Sequence, residues 1–250
     1  GESFTMRALL AVSVGGAIVA AAYLLVRRRL VRPPASTLSY PPSLVHRVVL
    51  LQAEPGAKDP MPKLRDFAVR ATETYPGSVA ASFGALANHE SETHLARSYT
   101  HAVRLVLHDP EEGVITHGVL SLGSLGVPLA TLPLTLEYQP RTHLVAPPFR
   151  SAAIRHVVAF KFKPGAPVAE LINGYAGLTD SIHEMEGFEW GELRPAEANG
   201  FSHCFVTTFE TSAGRDAYLA HPAHEVFASK IFSHLDEGQS VIFDFVELEA

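Results

Sequence analysis

The chain has 250 residues, a formal net charge of −6, 47% hydrophobic residues and one cysteine, Cys204. That length holds one large domain or two small ones, with enough apolar residues for a core and a membrane segment. A single cysteine excludes an internal disulfide framework and a cysteine-rich zinc site. The charge is unevenly placed: residues 1–33 carry Glu2 against Arg7, Arg27, Arg28, Arg29 and Arg32, so the remainder is strongly acidic. An acidic globular part argues against nucleic acid as a partner, because a phosphate backbone selects a basic face.

Ala8 to Val26 contains no charged residue. As a helix rising about 1.5 Å per residue it spans about 28 Å, close to a bilayer's hydrocarbon thickness of about 30 Å. Arg27, Arg28 and Arg29 follow at once, and Tyr23 sits where an aromatic belt residue would sit. A secretory signal has its basic region before the apolar run, not after it. The segment 1–32 is therefore read as a tail and one transmembrane helix, spanning about 8–26, with the rest of the chain on the cytoplasm-like side. The small residues Gly15, Gly16, Ala17, Ala20, Ala21 and Ala22 would let another helix approach closely within the membrane. The first residues, Gly-Glu-Ser-Phe-Thr, lack an initiator Met and suggest a processed terminus.

Residues 33–44 hold four prolines and form a stiff linker. Two segments of similar length follow, 45–140 and 154–250, separated by a second linker over 141–153. The later one reads β-α-β-β-α-β. Residues 154–162 and 203–210 pattern as strands, and residues 188–193 as a short one. Residues 168–185 place Leu171, Ile172, Tyr175, Leu178 and Ile182 at helical spacing. Ser212 is a plausible cap for a helix through Tyr218, Pro222 opens a further helix, and residues 240–248 form the last strand. The earlier segment repeats this order. VHRVVLLQAEPG (45–56) lies over IRHVVAFKFKPG (154–165), and a helix over Met61 to Thr74 follows. Gly84 lies over Gly191, His101 over His203, and PLTLEY (133–138) over VIFDFV. Five blocks in order at near-constant spacing indicate two copies of one fold, the first diverged.

The second copy resembles the stress-responsive A/B barrel domain (Dabb) family of the dimeric α+β barrel superfamily. The resemblance rests on His156 in the first strand, Gly191 after a tryptophan, GFSHCFVTTFET, DAYLAHPAH and the closing FDF. It implies an α+β, ferredoxin-like fold whose sheet pairs with a second sheet to close a barrel. In a tandem chain the two repeats would pair with each other as an intrachain pseudo-dimer, which removes exposed sheet edges. Some family members, a plant polyketide cyclase among them, are enzymes. Their pocket lies between sheet and helices, with a His of the HPxH motif as general base and a nearby Tyr orienting the substrate. By motif position these are His224 and Tyr218, with His156, Tyr175 and His203 lining the same pocket and His221 beside it. Imidazole titrates near neutrality and a phenol can hydrogen-bond an oxyanion, so the chemistry is coherent. The bland readings are a helix cap for His221 and hydrogen-bonded core positions for His156, His203 and Tyr175.

The first copy departs from this pattern. It reads His46-Arg47 where the second reads Arg155-His156, which sends its His to the other face. Thr116-His117-Gly118 replaces the HPxH motif. Cys204 alternates away from His203, so no Cys–His dyad is expected. The histidine spacing does not suggest a metal, and neither metal nor cofactor is expected.

Two functions remain open on the sequence. The first is an accessory or structural subunit of a membrane protein complex, the respiratory chain being one candidate. Its partners would be other subunits contacting the helix and the barrel surface. The location would be the mitochondrial inner membrane with the domain in the matrix, or alternatively the thylakoid membrane. The second is a membrane-tethered, cyclase-like enzyme. The anchor and the half-degenerate duplication favour the first.

Overall fold

In a computed structural model, residues 44–74, 77–108, 125–144, 152–194 and 198–249 are described. The apolar segment 8–26, most of the first linker and His117 lie outside the described residues. No helix among the described residues is long and apolar enough to cross a membrane.

The first repeat comprises β1 (Leu44–Leu51), α1 (Met61–Thr74), β2 (Ser78–Ala85), a 3-10 helix (Glu90–Ala96), β3 (His101–His108) and β4 (Leu134–Tyr138). A short β5 (Arg141–Leu144) follows. The second repeat comprises β6 (Ile154–Phe162), α2 (Val168–Ser181), β7 (Met185–Glu192), β8 (His203–Phe209), α3 (Ser212–Leu219), α4 (Pro222–Ser233), β9 (Leu235–Val246) and β10 (Leu248–Glu249). This is an α+β, ferredoxin-like fold with two antiparallel five-stranded sheets, in the orders β10-β2-β3-β1-β4 and β5-β7-β8-β6-β9.

The two orders contain an exchange. β5 follows the first repeat's last strand but pairs with β7 of the second sheet, Arg141 opposite Trp190. β10 follows the second repeat's last strand but pairs with β2 of the first sheet, Leu248 opposite Phe83. The crossings also match: Tyr138 bridges Leu193, and Phe245 bridges Leu86. Each repeat thus covers the edge that the other would otherwise expose. Residues 141–144, expected to begin a linker, form a strand because the open edge of β7 offers its backbone a partner.

Two glycines permit these crossings. A Cβ on Gly191 would stand 2.7 Å from Tyr138 Cβ, and one on Gly84 would strike the Val246 carbonyl and come within 2.9 Å of the Phe245 ring. Only a residue without a side chain allows the incoming strand so close.

Period-2 alternation explains the core. Every residue of β1 is buried, because one face packs on α1 and the other on the facing sheet. Val48, Leu50, Leu136 and Tyr138 meet Val157, Ala159, Cys204, Val206, Phe243 and Phe245 between the sheets. Val49, Leu51, Val103 and Leu105 face Leu64, Phe67 and Ala71 of α1. Phe160, Phe188, Phe205 and Phe209 face Leu171, Tyr175, Tyr218 and Phe227 of α2, α3 and α4. Each such side chain is worth about 1.5–3 kcal/mol when fully buried.

Several boundaries differ from expectation. α2 stops at Ser181, because Ile182 is extended (φ −110°, ψ 99°) and Met185 already joins β7. Thr211, not Ser212, caps α3 by accepting from the Gly214 amide. The last strand begins at Leu235, pairing with Phe162, and tolerates Gly238 at φ 67°.

Candidate functional site

On the helix-facing side of the second sheet, His156, Thr207, Arg215 and Asp244 form one buried polar cluster with Tyr175 and Tyr218. Strand register places His156 of β6 opposite Thr207 of β8 on one side and Asp244 of β9 on the other. His156 Nδ1 donates to Asp244 Oδ1 at 2.7 Å, and Asp244 Oδ2 ion-pairs with Arg215 Nη1 from α3. Burial alone would lower the His156 pKa. The charge and hydrogen bond of Asp244, joined by Glu92, instead raise it.

Above this pair lies a chain of hydroxyls. Tyr175 OH of α2 is 2.8 Å from Thr207 Oγ1 and 2.7 Å from Tyr218 OH of α3. Burial pushes the Tyr175 phenol up to about 12 and the Tyr218 phenol well up, so both stay protonated and act as donors. His224 of α4 leans on Tyr218 with ring centroids 4.2 Å apart, and His156 lies 5.7 Å from the same ring. His224 Nδ1 donates to the Leu219 carbonyl at 3.2 Å, leaving Nε2 as the basic nitrogen. Burial, then the charge of His156, push His224 down to about 4, so it is neutral near pH 7. Tyr218, Tyr175 and His156 are buried, and His224 is half-buried.

The structure thus brings His156, Tyr175, Tyr218 and His224 together. It does not bring His203 with them. His203 pairs with Phe160, four residues along β6 from His156, or about 13 Å at strand rise. There it packs against Phe160 and Phe162, with Nδ1 2.8 Å from Ser202 Oγ. The first repeat repeats this arrangement with His101 Nδ1 2.8 Å from Thr100 Oγ1, which marks it as a property of the fold. His221 is the N-cap of α4, its ring accepting from the Ala223 amide, and Pro222 takes the first turn.

Asp244, Arg215, Thr207 and Glu92 were not singled out from the sequence. A signal exists for Asp244, which interrupts the apolar run FDF at a helix-facing position. Arg215 likewise lies on the buried side of α3. Glu92 carries no signal, since it comes from the other repeat. Glu92, His156 and Asp244 place ligand-type atoms within 4.8 Å of one another. Asp244, however, uses Oδ1 on His156 and Oδ2 on Arg215, a hydrogen-bonded arrangement that is complete without a metal.

The space between the sheets holds a second polar network. Glu189 accepts from His46 Nδ1 at 2.7 Å and from Tyr138 OH at 2.8 Å, and lies 3.6 Å from Arg104. Glu247 pairs with Arg155 at 2.6 Å and accepts from Ser82 at 2.8 Å. Burial would raise the Glu189 pKa, but the hydrogen bond from His46 and the charges of Arg104 and Arg155 hold it well below the usual carboxylate range. Burial and the two arginines keep His46 low, so it serves as a neutral donor to Glu189. Cys204 lies between the sheets and His203 on the helix side, as strand alternation requires.

A ferredoxin-like sheet pair closed edge to edge, with a His/Tyr cluster under the helices, defines the class of α+β barrel proteins. The family model described as Stress responsive A/B Barrel Domain matches residues 154–247. A stress-response A/B barrel domain-containing protein of Arabidopsis thaliana is 38% identical over 89 residues, covering 34% of this chain and 82% of that protein. The chain belongs to the stress-responsive A/B barrel domain family. Olivetolic acid cyclase of Cannabis sativa is 29% identical over 98 residues, covering 37% of this chain and 95% of the cyclase. An anthrone oxidase-like protein of known structure aligns over 85% of this chain and 94% of its own, with a TM-score of 0.59 at 11% identity. That likeness concerns fold alone, but it spans both sheets.

Proposed function

We propose that the second repeat carries an acid–base site of the polyketide-cyclase type. In this reading the first repeat closes the barrel as the other half of an intrachain pseudo-dimer, and segment 8–26 tethers the chain to a membrane. The observation that carries the reading is the pair His224–Tyr218, in which a neutral, half-buried imidazole lies on a protonated phenol. Similarity to olivetolic acid cyclase over nearly its whole length supports it.

The chemistry follows from the protonation states. His224 Nε2 takes a proton from a carbon between two carbonyls, and the electron pair left behind attacks a more distant carbonyl of the same chain. The oxygen of that carbonyl becomes an oxyanion. Tyr218 donates to it while accepting from Tyr175, and Tyr175 accepts from Thr207. Each donor in such a relay strengthens the next. The new alkoxide takes back the proton from His224 Nε2, the hydroxyl is lost as water when the ring aromatises, and hydrolysis of the thioester releases the thiol and the free acid. The test is a linear poly-β-keto thioester incubated with the full chain in mild detergent, with the cyclised acid measured by mass spectrometry. His224→Gln should lower the rate by about 10²–10⁴-fold, the usual contribution of a positioned base. A wild-type rate no higher than the spontaneous one would remove the enzyme reading.

A second reading is an accessory subunit of a membrane complex, docked through segment 8–26 and the barrel surface. It is favoured by the uncharged run, its small residues and the arginines that follow it. The mitochondrial inner membrane, with the barrel in the matrix, suits that flank, and a thylakoid membrane is the alternative. Co-purification in mild detergent tests this reading, and a lone monomer would count against it.

A further inference from the structure

The 3-10 helix Glu90–Ala96 belongs to the first repeat but packs along β9 of the second. Asn88 pins it there: Nδ2 donates to the Ile242 carbonyl at 3.0 Å, and Oδ1 accepts from the Asp244 amide at 2.6 Å. The Ala87 amide donates to the Asp244 carbonyl at 2.8 Å, and Arg215 donates to the Ala87 carbonyl at 3.0 Å. Glu92 is thereby carried to within 4.8 Å of both His156 and Asp244. Its Oε2 atom is buried and has no hydrogen-bond partner among the described residues. A buried carboxylate oxygen left in that state is costly unless it serves a neighbouring charge.

The reciprocal crossing is different. After β7, Arg194 donates its backbone amide to the Glu137 carbonyl at 3.0 Å, and its guanidinium lies 2.7 Å from Glu137 Oε1. Glu137 also pairs with Arg47, the residue standing where the second repeat has His156. One repeat therefore receives a cation from its partner, and the other receives an anion.

We propose that the second repeat's site is composite: Glu92, supplied by the first repeat, is a positioning residue that joins Asp244 as counter-ion to His156 and holds a charged imidazole beside Tyr218. The role in turnover rests on the acid–base reading of that site. Five titratable groups face His156: Asp244 from β9, Arg215 and Tyr218 from α3, His224 from α4 and Glu92 from the 3-10 helix, with Tyr175 of α2 hydrogen-bonded to Tyr218 beyond them. Burial raises the Glu92 carboxyl above its ordinary value, and the charge of His156 pulls it back down, so Glu92 and His156 favour each other's charged forms. With the phenols and His224 neutral and Arg215 shared with Asp216 at 2.7 Å, the ionised carboxylates outnumber the guanidinium. A protonated His156 balances them, and its charge favours an oxyanion at the Tyr218 hydroxyl.

The test is imidazole NMR on the full chain in detergent micelles, with His156 identified by its loss in His156→Gln. Glu92→Gln should lower the His156 titration midpoint by roughly one unit, the effect of removing an opposite charge at this range. Glu92→Asp, which withdraws the carboxylate, should give a smaller shift in the same direction. Glu90→Gln, an exposed carboxylate on the same turn, should give none. In the cyclase assay Glu92→Gln should lower kcat about tenfold with little change in KM, as expected for an interaction made in the transition state. An unchanged midpoint in folded Glu92→Gln, or a wild-type His156 signal that moves on adding zinc, would overturn the proposal. A shifted midpoint in a chain without cyclase activity would support the composite site and remove the enzyme reading it serves.

Discussion

The first strands of the two repeats differ by an interchange of neighbours, His46-Arg47 against Arg155-His156. Alternation places His46 and Arg155 between the sheets, and Arg47 and His156 beneath the helices. Under the first repeat's helix-facing side, Arg47, Glu137 and Arg194 form a closed ion triad. Under the second, His156 and Asp244 sit among two tyrosines, a second histidine and an incoming glutamate. Arginine stays charged at all working pH values, whereas imidazole does not. One interchange therefore separates a permanently paired structural position from a group that can change state.

The largest effect should come from the network that both repeats share. Glu247→Ala removes the buried carboxylate that pairs with Arg155 at 2.6 Å and lies 3.6 Å from Arg104 between the sheets. It should cost about 3–5 kcal/mol, the range for breaking a buried pair from one side. Chemical denaturation reads this directly, and a loss under 1 kcal/mol would mean the network is wetter than its geometry implies. Next come the crossing glycines. Gly84→Ala and Gly191→Ala should each cost about 1–3 kcal/mol through overpacking, and by similar amounts. A large difference between them would break the equivalence of the two crossings. Tyr218→Phe removes one buried hydrogen bond and should cost about 1 kcal/mol, with a larger loss of cyclase rate if the second repeat is the active one.

The smallest effects are in pH dependence, and they have opposite signs. His46 is held below its ordinary value of 6.5, so stability falls as pH drops below 6.5 towards its folded value. His156 is held above its ordinary value of 6.5, so its contribution is complete below 6.5 and is lost as pH rises through its folded value. His46→Gln should flatten the acid side of the stability profile and His156→Gln the alkaline side. Identical profiles for the two variants would contradict the assignment of one neutral and one charged ring.

Much of the architecture was legible because it follows from periodicity. β6 spans Ile154–Phe162, as its apolar, β-branched run indicated, and α1 spans Met61–Thr74, as the order of blocks shared by the two repeats indicated. The displacement of His46 to the far face also followed from period 2. The network between the sheets was not legible. Arg104, Glu189 and Glu247 are charged residues at interior positions, and nothing local distinguishes them from solvated charges until the facing sheet supplies partners. The site was legible only where one repeat's own elements build it. Tyr175, Tyr218 and His224 lie on consecutive helices over one sheet, but Glu92 arrives from a turn 64 positions before His156 in the chain. His203 stands apart from this cluster for a related reason: a motif gives spacing along a strand, not distance from the helices above it.

The strand exchange has a consequence for variation. In an assembly of two identical chains every substitution is made twice, so a glutamate introduced to serve one pocket also enters its mirror image. Here β5 and β10 join unlike halves of one polypeptide. A change is made once, and the assembly does not come apart on dilution. Each half is free to specialise, one as support and the other as the working face, without a second gene and without a concentration at which the pair is lost.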